Sequence, residues 1–407
     1  MKYGHIIDGD KIIDEVLVSY FKSPHSYTTE DMCEINSHGG NVIVKMILEL
    51  CLKNGAELAE AGEFTKRAFL NGRIDLVQAE SVIDIINAKS DKEVATGIRH
   101  LEGFLSEKIK EIKQDIIDLL VNIEVSIDYP EYDVEEVQNE ETIQMLDKVE
   151  SKLISLEKSF DNGKIIKNGI KTAIIGKPNA GKSSLLNAIL REERAIVTEI
   201  EGTTRDTIEE MININGIPIN LVDTAGIRKA TDTVERIGIE KSKKMAQDAD
   251  LIIAIFDSSK DLDEDDLQIL DLIKNKKNII ILNKIDLKTK INEENEEIKK
   301  VSSNIIKISA LNKIGIEELG NKISELFNLG QINFDNEMVI TNVRHKNLIS
   351  SAIKNLKQAR IAIDEKMPLD IVTISIKNII SCMNEITGDN TSEDIINEIF
   401  SKFCLGK

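Results

Sequence analysis

The stretch Ile170-Lys171-Thr172-Ala173-Ile174-Ile175-Gly176-Lys177-Pro178-Asn179-Ala180-Gly181-Lys182-Ser183-Ser184-Leu185-Leu186-Asn187-Ala188-Ile189-Leu190 decides the fold of the middle of this chain. Residues 170–175 form an apolar strand and residues 184–190 read as a helix, so the glycine-rich loop joins strand to helix. This is the setting of a phosphate cradle. Backbone amides at the helix N-terminus face an anion, and the loop carries Asn179, Ala180, Gly181, Lys182, Ser183 and Ser184 against it. Lys182 would reach the β and γ phosphates, and the Ser183 hydroxyl would ligate Mg2+, a hard cation that prefers oxygen donors. Alone, such a loop is moderately specific, because ATPases share it.

Three further signatures follow in order: Gly202-Thr203-Thr204-Arg205-Asp206, Asp223-Thr224-Ala225-Gly226 and Asn283-Lys284-Ile285-Asp286. The ordered set reads as a GTPase. Thr204 offers a second hydroxyl to Mg2+, Asp223 ends an apolar strand where its carboxylate holds the metal through water, and Gly226 lets backbone approach the γ-phosphate. Asp286 can accept both the ring N–H and the exocyclic amine of guanine, a donor pair that adenine lacks. Ser309-Ala310-Leu311 would back the base. Where many small GTPases carry a water-orienting glutamine, this chain has Ile227, which cannot do that work. Glu235 is a nearby carboxylate, and the residues alone leave open whether it positions water or is a solvated charge at a helix start.

The same motifs, with Glu235-Arg236-Ile237-Gly238-Ile239-Glu240 and the terminal Phe403-Cys404-Leu405-Gly406-Lys407, resemble the MnmE (TrmE) family of tRNA-modification GTPases. The Cys-x-Gly-Lys ending is more specific than any GTPase motif; Leu405 stands where the family form usually has isoleucine. The resemblance covers nearly the whole chain. It implies potassium-stimulated hydrolysis triggered by G-domain dimerisation, with K+ in the place of an arginine finger. Asn179 matches the family's potassium-binding asparagine; Thr198, Ile200 and Thr203, in the nucleotide-contacting run Thr198-Glu199-Ile200-Glu201-Gly202-Thr203-Thr204, match the loop that completes the site. Glu235 falls on the catalytic glutamate.

For the rest of the chain the resemblance implies a one-carbon tetrahydrofolate, in the 5-formyl or methylene form. Glu34, Arg73 and Lys407 match its binding residues, and Cys404 lies on a tail that reaches toward it. It also implies a homodimer and an FAD-dependent MnmG-type subunit joined in a heterotetramer or larger complex. The product would be an aminomethyl or carboxymethylaminomethyl group at carbon 5 of the tRNA wobble uridine. Family members begin with several dozen more residues, so the expected first domain is incomplete. A GTP-dependent ribosome-assembly switch is the alternative; it would leave the Phe-Cys-Leu-Gly-Lys ending unexplained.

A length of 407 residues predicts two or three domains, and a net charge of -19 argues against broad nonspecific nucleic-acid binding. Two basic clusters remain for local RNA contact, Lys66, Arg67 and Arg73, and Arg344, His345 and Lys346, although solvated charge explains either as well. The acidic run 261–266 reads as an exposed loop or helix start. Neither a membrane span nor a signal peptide is evident, which predicts a cytoplasmic protein. The cysteines contain no C-x-x-C pair, and Cys33, Cys51 and Cys382 are expected as buried core thiols.

The organisation expected is a Ras-like P-loop GTPase domain inserted in a helical domain, preceded by a small α/β folate-binding-like domain: 1–72, 73–163 (helical, first part), 164–330 (G domain) and 331–407 (helical, second part). Apolar residues at Ile98, Leu101, Leu105, Ile109, Ile112, Ile116, Leu119 and Ile123 predict one long bundle helix. Helices are also predicted over 42–52, 142–160, 347–363, 368–386 and 392–403, the last with a cap at Thr391-Ser392-Glu393-Asp394.

Overall fold

The computed structural model describes residues 1–128, 135–192, 210–222, 246–327 and 339–404. The chain opens as an antiparallel sheet of β1 (Lys2–Asp8), β2 (Lys11–Phe21) and β3 (Met32–Asn36). Gly9, at φ +61°, allows the tight turn that sets Asp8 opposite Lys11. Six helices follow: α1 (Asn41–Lys53), α2 (Glu63–Leu70), α3 (Leu76–Ile86), α4 (Asp91–Leu101), α5 (Phe104–Asp128) and α6 (Glu135–Asn168). α3 starts in a capping box: the Asp75 carboxylate accepts from the Gln78 amide, and the Gln78 side chain accepts from the Asp75 amide, each at 3.0 Å.

Then come β4 (Ile170–Ile175), α7 (Lys182–Glu192), β5 (Glu210–Ile214), β6 (Ile217–Leu221), β7 (Leu251–Asp257), α8 (Glu264–Ile273), β8 (Asn278–Asn283), α9 (Glu296–Lys299), β9 (Ile305–Ile308) and α10 (Ile316–Leu326). The chain closes with α11 (Val343–Asp364), α12 (Leu369–Thr387) and α13 (Glu393–Phe400). Two compact units result: Met1–Asn87 with Gly97–Ile154 and Asn347–Lys407, and Ala88–Thr96 with Ser155–Lys346. Sequence from both sides of the nucleotide motifs thus shares one unit, the inserted architecture expected.

In the first unit α12 packs along α5. The stripe Leu105, Ile109, Ile112, Ile116, Leu119 and Ile123 is buried, as are Val372, Ile376, Ile379, Met383 and Ile386. Fully burying each such side chain stabilises by about 1.5–3 kcal/mol relative to exposure. A second core joins Ala68, Ile74, Leu76 and Ala79 to Ile396, Phe400 and Phe403.

The expected single helix is two helices. Gly103 turns to φ +95°, its amide closing α4 on the His100 carbonyl and its carbonyl opening α5 on the Glu107 amide. Ile98, counted in the stripe, is exposed on α4. α6 also runs past the predicted end to Asn168, where Gly169 at φ +73° stops it. Ser392 stands at the N-cap of α13 but makes no side-chain cap bond. The cysteines depart from expectation too: Cys33 is exposed, because β3 is open to solvent along most of its length, and Cys51 and Cys382 are only half-buried.

The second unit is built on a six-stranded sheet in the order β5-β6-β4-β7-β8-β9, parallel except for the β5–β6 hairpin. β8 is buried along its whole length, which is why it reads as a continuous apolar run rather than an alternation. β4 sits where the strand order reverses, and ligands of such sheets bind outside the carboxyl ends of strands at that crevice.

Candidate active site

The loop from Gly176 to Gly181 leaves the carboxyl end of β4 and feeds α7. It turns through two left-handed residues, Asn179 at φ +63° and Gly181 at φ +106°. Gly176 is required by packing, since a Cβ there would lie 2.5 Å from the Ile255 carbonyl oxygen. The Ala180 amide donates to the Lys177 carbonyl at 3.2 Å, and the Gly181 carbonyl accepts from the Leu185 amide, starting the helix. Lys182 Nζ donates to the carbonyls of Gly176 (2.6 Å) and Lys177 (2.8 Å). Burial pushes this ammonium below the ordinary lysine value, the setting of a cation held ready for an anion. Ser183 and Ser184 are exposed at the start of α7.

The segment that the sequence assigns to the base meets this loop through Asn283, the buried last residue of β8. Its side-chain nitrogen donates to the Ala180 carbonyl at 2.8 Å, and its side-chain oxygen accepts from the Ala310 amide at 3.1 Å. Gly181 is the close neighbour: a Cβ there would lie 2.0 Å from Asn283 Nδ2. Ser309 Oγ donates to Asp286 Oδ1 at 2.6 Å, orienting the carboxylate that the sequence assigns to guanine. Leu311 is largely exposed beside them. Lys284 adopts φ +65° and donates to Asp257 Oδ2 at 2.6 Å. Burial works against the Asp257 charge, but Lys284 and Ser259 hold its carboxyl below the usual range.

Two pairings were not foreseen in the sequence. One is Asp257 with Lys284. The other joins Lys177 of the phosphate loop to Asp263 (2.5 Å) and Asp266 (2.8 Å) at the start of α8. The acidic run is therefore a helix start, but Asp266 is buried, contrary to the exposed reading. The only sequence signal was an Asp-x-x-Asp capping pattern before an apolar helix.

In the first unit α2 gathers the tail. The Gly62 amide at its N-cap donates to the Cys404 carbonyl at 3.2 Å, and a Cβ on Gly62, at φ +68°, would lie 2.8 Å from Phe403 Cβ. Thr65, fully buried, shares a 3.0 Å hydrogen bond with the Tyr27 hydroxyl, and the Arg73 guanidinium stacks 4.5 Å from the Tyr27 ring centre. Cys404 and Arg73 are thereby both tied toward α2, whereas Glu34 is placed by the β2–β3 ladder, exposed and opposite Ser19. The first basic cluster is largely spoken for: Arg67 pairs with Glu63 and Glu30, and Lys66 donates to Asn397 at 2.7 Å. In the second unit Arg344 bonds His345, which is buried, and Lys346 lies over Phe160.

Residues 76–404 match the MnmE helical domain, and residues 1–73 match the GTP-binding protein TrmE N-terminus. The chain belongs to the MnmE family. It is 50% identical to the tRNA modification GTPase MnmE of Acetivibrio thermocellus, over 100% of this chain and 89% of that protein. Against the tRNA modification GTPase MnmE of Clostridioides difficile the identity is 51%, over 100% of this chain and 88% of that one. Among solved structures, the G domain of the T. maritima FeoB iron transporter aligns at 29% identity with 39% of this chain and 98% of its own, with a TM-score of 0.29.

Several positions matched to the MnmE family lie outside the described residues: Thr198, Glu199, Ile200, Glu201, Gly202, Thr203, Thr204, Asp223, Thr224, Ala225, Gly226, Glu235 and Lys407. Among the described residues, the positions that the sequence assigns to the nucleotide, Asn179–Ser184, Asn283, Lys284, Asp286 and Ser309–Leu311, follow β4, β8 and β9 at the carboxyl end of the sheet. No helix among the described residues of this MnmE family member is long and apolar enough to cross a membrane.

Proposed function

We propose that this chain hydrolyses GTP in a potassium-dependent reaction triggered by pairing of two G domains, and that it spends the cycle on modifying carbon 5 of the tRNA wobble uridine. The coarser activity is that of its family, a GTPase acting in tRNA modification. The observation that carries the nucleotide assignment is the meeting of the base-reading and phosphate-holding segments on one buried side chain, Asn283.

The residues fit Mg2+ and K+ by donor chemistry. Ser183 offers a hydroxyl oxygen at the start of α7, with Thr204 as its proposed companion on Mg2+. Asn179 projects from a left-handed turn of the phosphate loop and offers an amide oxygen to K+, with Thr198, Ile200 and Thr203 completing that set. Bound there, the two cations would neutralise charge that develops on the β and γ phosphates. Lys182 adds a third positive charge, already oriented by two loop carbonyls. Glu235 is the proposed water-positioning carboxylate.

Glu34, Arg73 and Lys407 are proposed to hold a one-carbon tetrahydrofolate, with Cys404 beside it. A carboxylate suits the pterin's N–H donors and the cations suit its glutamate tail; the stacking of Arg73 on Tyr27, which restrains its guanidinium, supports this reading. The folate would supply the one-carbon unit. A homodimer of this chain, joined by an FAD-dependent MnmG-type subunit, is the proposed working assembly in the cytoplasm. The test is the nucleoside content of tRNA from cells lacking this gene. Loss of the modified wobble uridine, restored by the gene, is expected; an unchanged wobble nucleoside would overturn the assignment.

A further inference from the structure

Lys177 occupies the second position of the phosphate loop, where the nucleotide motifs assign it no role. Its ammonium is bound on one side by two carboxylates at the start of α8, the N-cap Asp263 and Asp266, at 2.5 and 2.8 Å. Asp266 is buried, so its contact with Lys177 is shielded from water and from salt in a way that the exposed Asp263 contact is not. Both carboxylates are themselves fixed. Asp263 accepts from the Asp265 and Asp266 amides at 3.1 and 3.2 Å, and Asp266 accepts from the Asp263 amide at 3.2 Å. The capping box thus presents a rigid pair of acceptors to the loop. Burial opposes the charge on Lys177, but the two carboxylates outweigh it and keep the ammonium firmly protonated.

The backbone of the same residue faces the other way. The Lys177 carbonyl accepts from Lys182 Nζ at 2.8 Å and from the Ala180 amide at 3.2 Å. One residue therefore joins the α8 anchor to the carbonyl that seats the phosphate-binding lysine. The loop it anchors contains two left-handed turns, Asn179 and Gly181, whose cost has to be met by contacts that over-determine the conformation.

We propose that Lys177, with Asp263 and Asp266, is a positioning clamp that holds the phosphate loop in its nucleotide-ready shape and thereby sets affinity for the phosphates of GTP and GDP, not for the base. The proposal rests on the nucleotide-site reading above and adds to it a loop residue to which the motifs assign no role and two acids outside them.

The test uses the full chain, a fluorescent GDP analogue, and competition by GDP, GTP and ADP. Lys177→Met removes the charge and keeps the stem. It should weaken GDP binding roughly tenfold, the scale of losing charge-assisted hydrogen bonds, and raise KM for GTP more than it lowers kcat. Preference for GDP over ADP should be retained, because the base site is untouched. Lys177→Arg should recover most of the affinity. The double variant Lys177→Met/Asp266→Asn separates positioning from a stranded buried charge: it carries no orphan carboxylate at Asp266, yet should bind GDP as weakly as Lys177→Met. Full recovery in the double variant, or unchanged GDP affinity in Lys177→Met, would overturn the clamp. Failure of the unmodified chain to prefer guanine nucleotides would instead overturn the nucleotide-site reading itself.

Discussion

The side-chain nitrogen of Asn283 lies 2.8 Å from the carbonyl oxygen of Ala180, so the residue that ends β8 holds the crown of the phosphate loop. Its other side-chain atom is bonded to the Ala310 amide, and the residue is buried. The segments proposed to read the base and to hold the phosphates are therefore joined by a single planar amide. A change at Asn283 should therefore disturb both of its partners, Ala180 and Ala310.

Gly181→Ala is the sharpest probe of that junction. The residue sits at φ +106°, and its new methyl would lie 2.0 Å from Asn283 Nδ2. The loop cannot keep its shape, and nucleotide affinity should fall by roughly a hundredfold or more, from strain and displacement of Asn283 together. Titration with a fluorescent GDP analogue measures this. Binding within threefold of the parent would mean that the loop adapts.

Asp286→Asn replaces a carboxylate that Ser309 orients at 2.6 Å with an amide that cannot accept two hydrogen bonds from guanine. A loss of about 2–4 kcal/mol in GTP binding is expected, with a relative gain for xanthine nucleotides. Competition of GTP against XTP reports both changes, and an unaltered ratio refutes the base assignment.

Turnover should depend on the monovalent cation. Exchanging K+ for Na+ at protein concentrations high enough for pairing should slow steady-state GTP hydrolysis strongly, while Asn179→Ala should be slow in both salts. Equal rates of the parent in the two salts would remove K+ from the mechanism.

Cys404→Ser should separate the two activities. The thiol lies outside every nucleotide motif, in the first unit, so GTP hydrolysis should persist at the parental rate. Wobble-uridine modification should fail when the variant replaces the chromosomal gene. A serine variant that restores the modified nucleoside would make the thiol dispensable.

The elements that carry the proposed nucleotide site were legible because they are local: strand, glycine loop and helix follow one another within residues 170–190, and Asn283, which ends β8, opens the run to Asp286. The buried stripe from Leu105 onward was legible for the same reason, since a 3.6-residue period carries its own signature. What escaped was set by distant partners. Gly103 interrupts the stripe without disturbing its spacing, because a left-handed glycine between two helices can preserve apolar periodicity. Asp266 lies in a run of acids that composition alone assigns to solvent, but its buried carboxylate is met by Lys177, 89 residues earlier, and by the Asp263 amide. Cys33 reads as a core thiol until β3 is seen to be open along its length. α2 and α3 carry no long stripe, and their apolar faces are completed by Phe400 and Phe403 from the far end of the chain.

That last closure constrains the order of events on the ribosome. The core around Ala68 and Leu76 is finished by Ile396, Phe400 and Phe403, and Lys66 meets Asn397 across 331 residues. Translation delivers those partners only after the whole sheet of the second unit has emerged. The inserted unit is then free to fold during synthesis, while α2 waits with its apolar face uncovered. Losing residues 396–403 should therefore leave the second unit folded and the first unit exposed to chaperones and proteases.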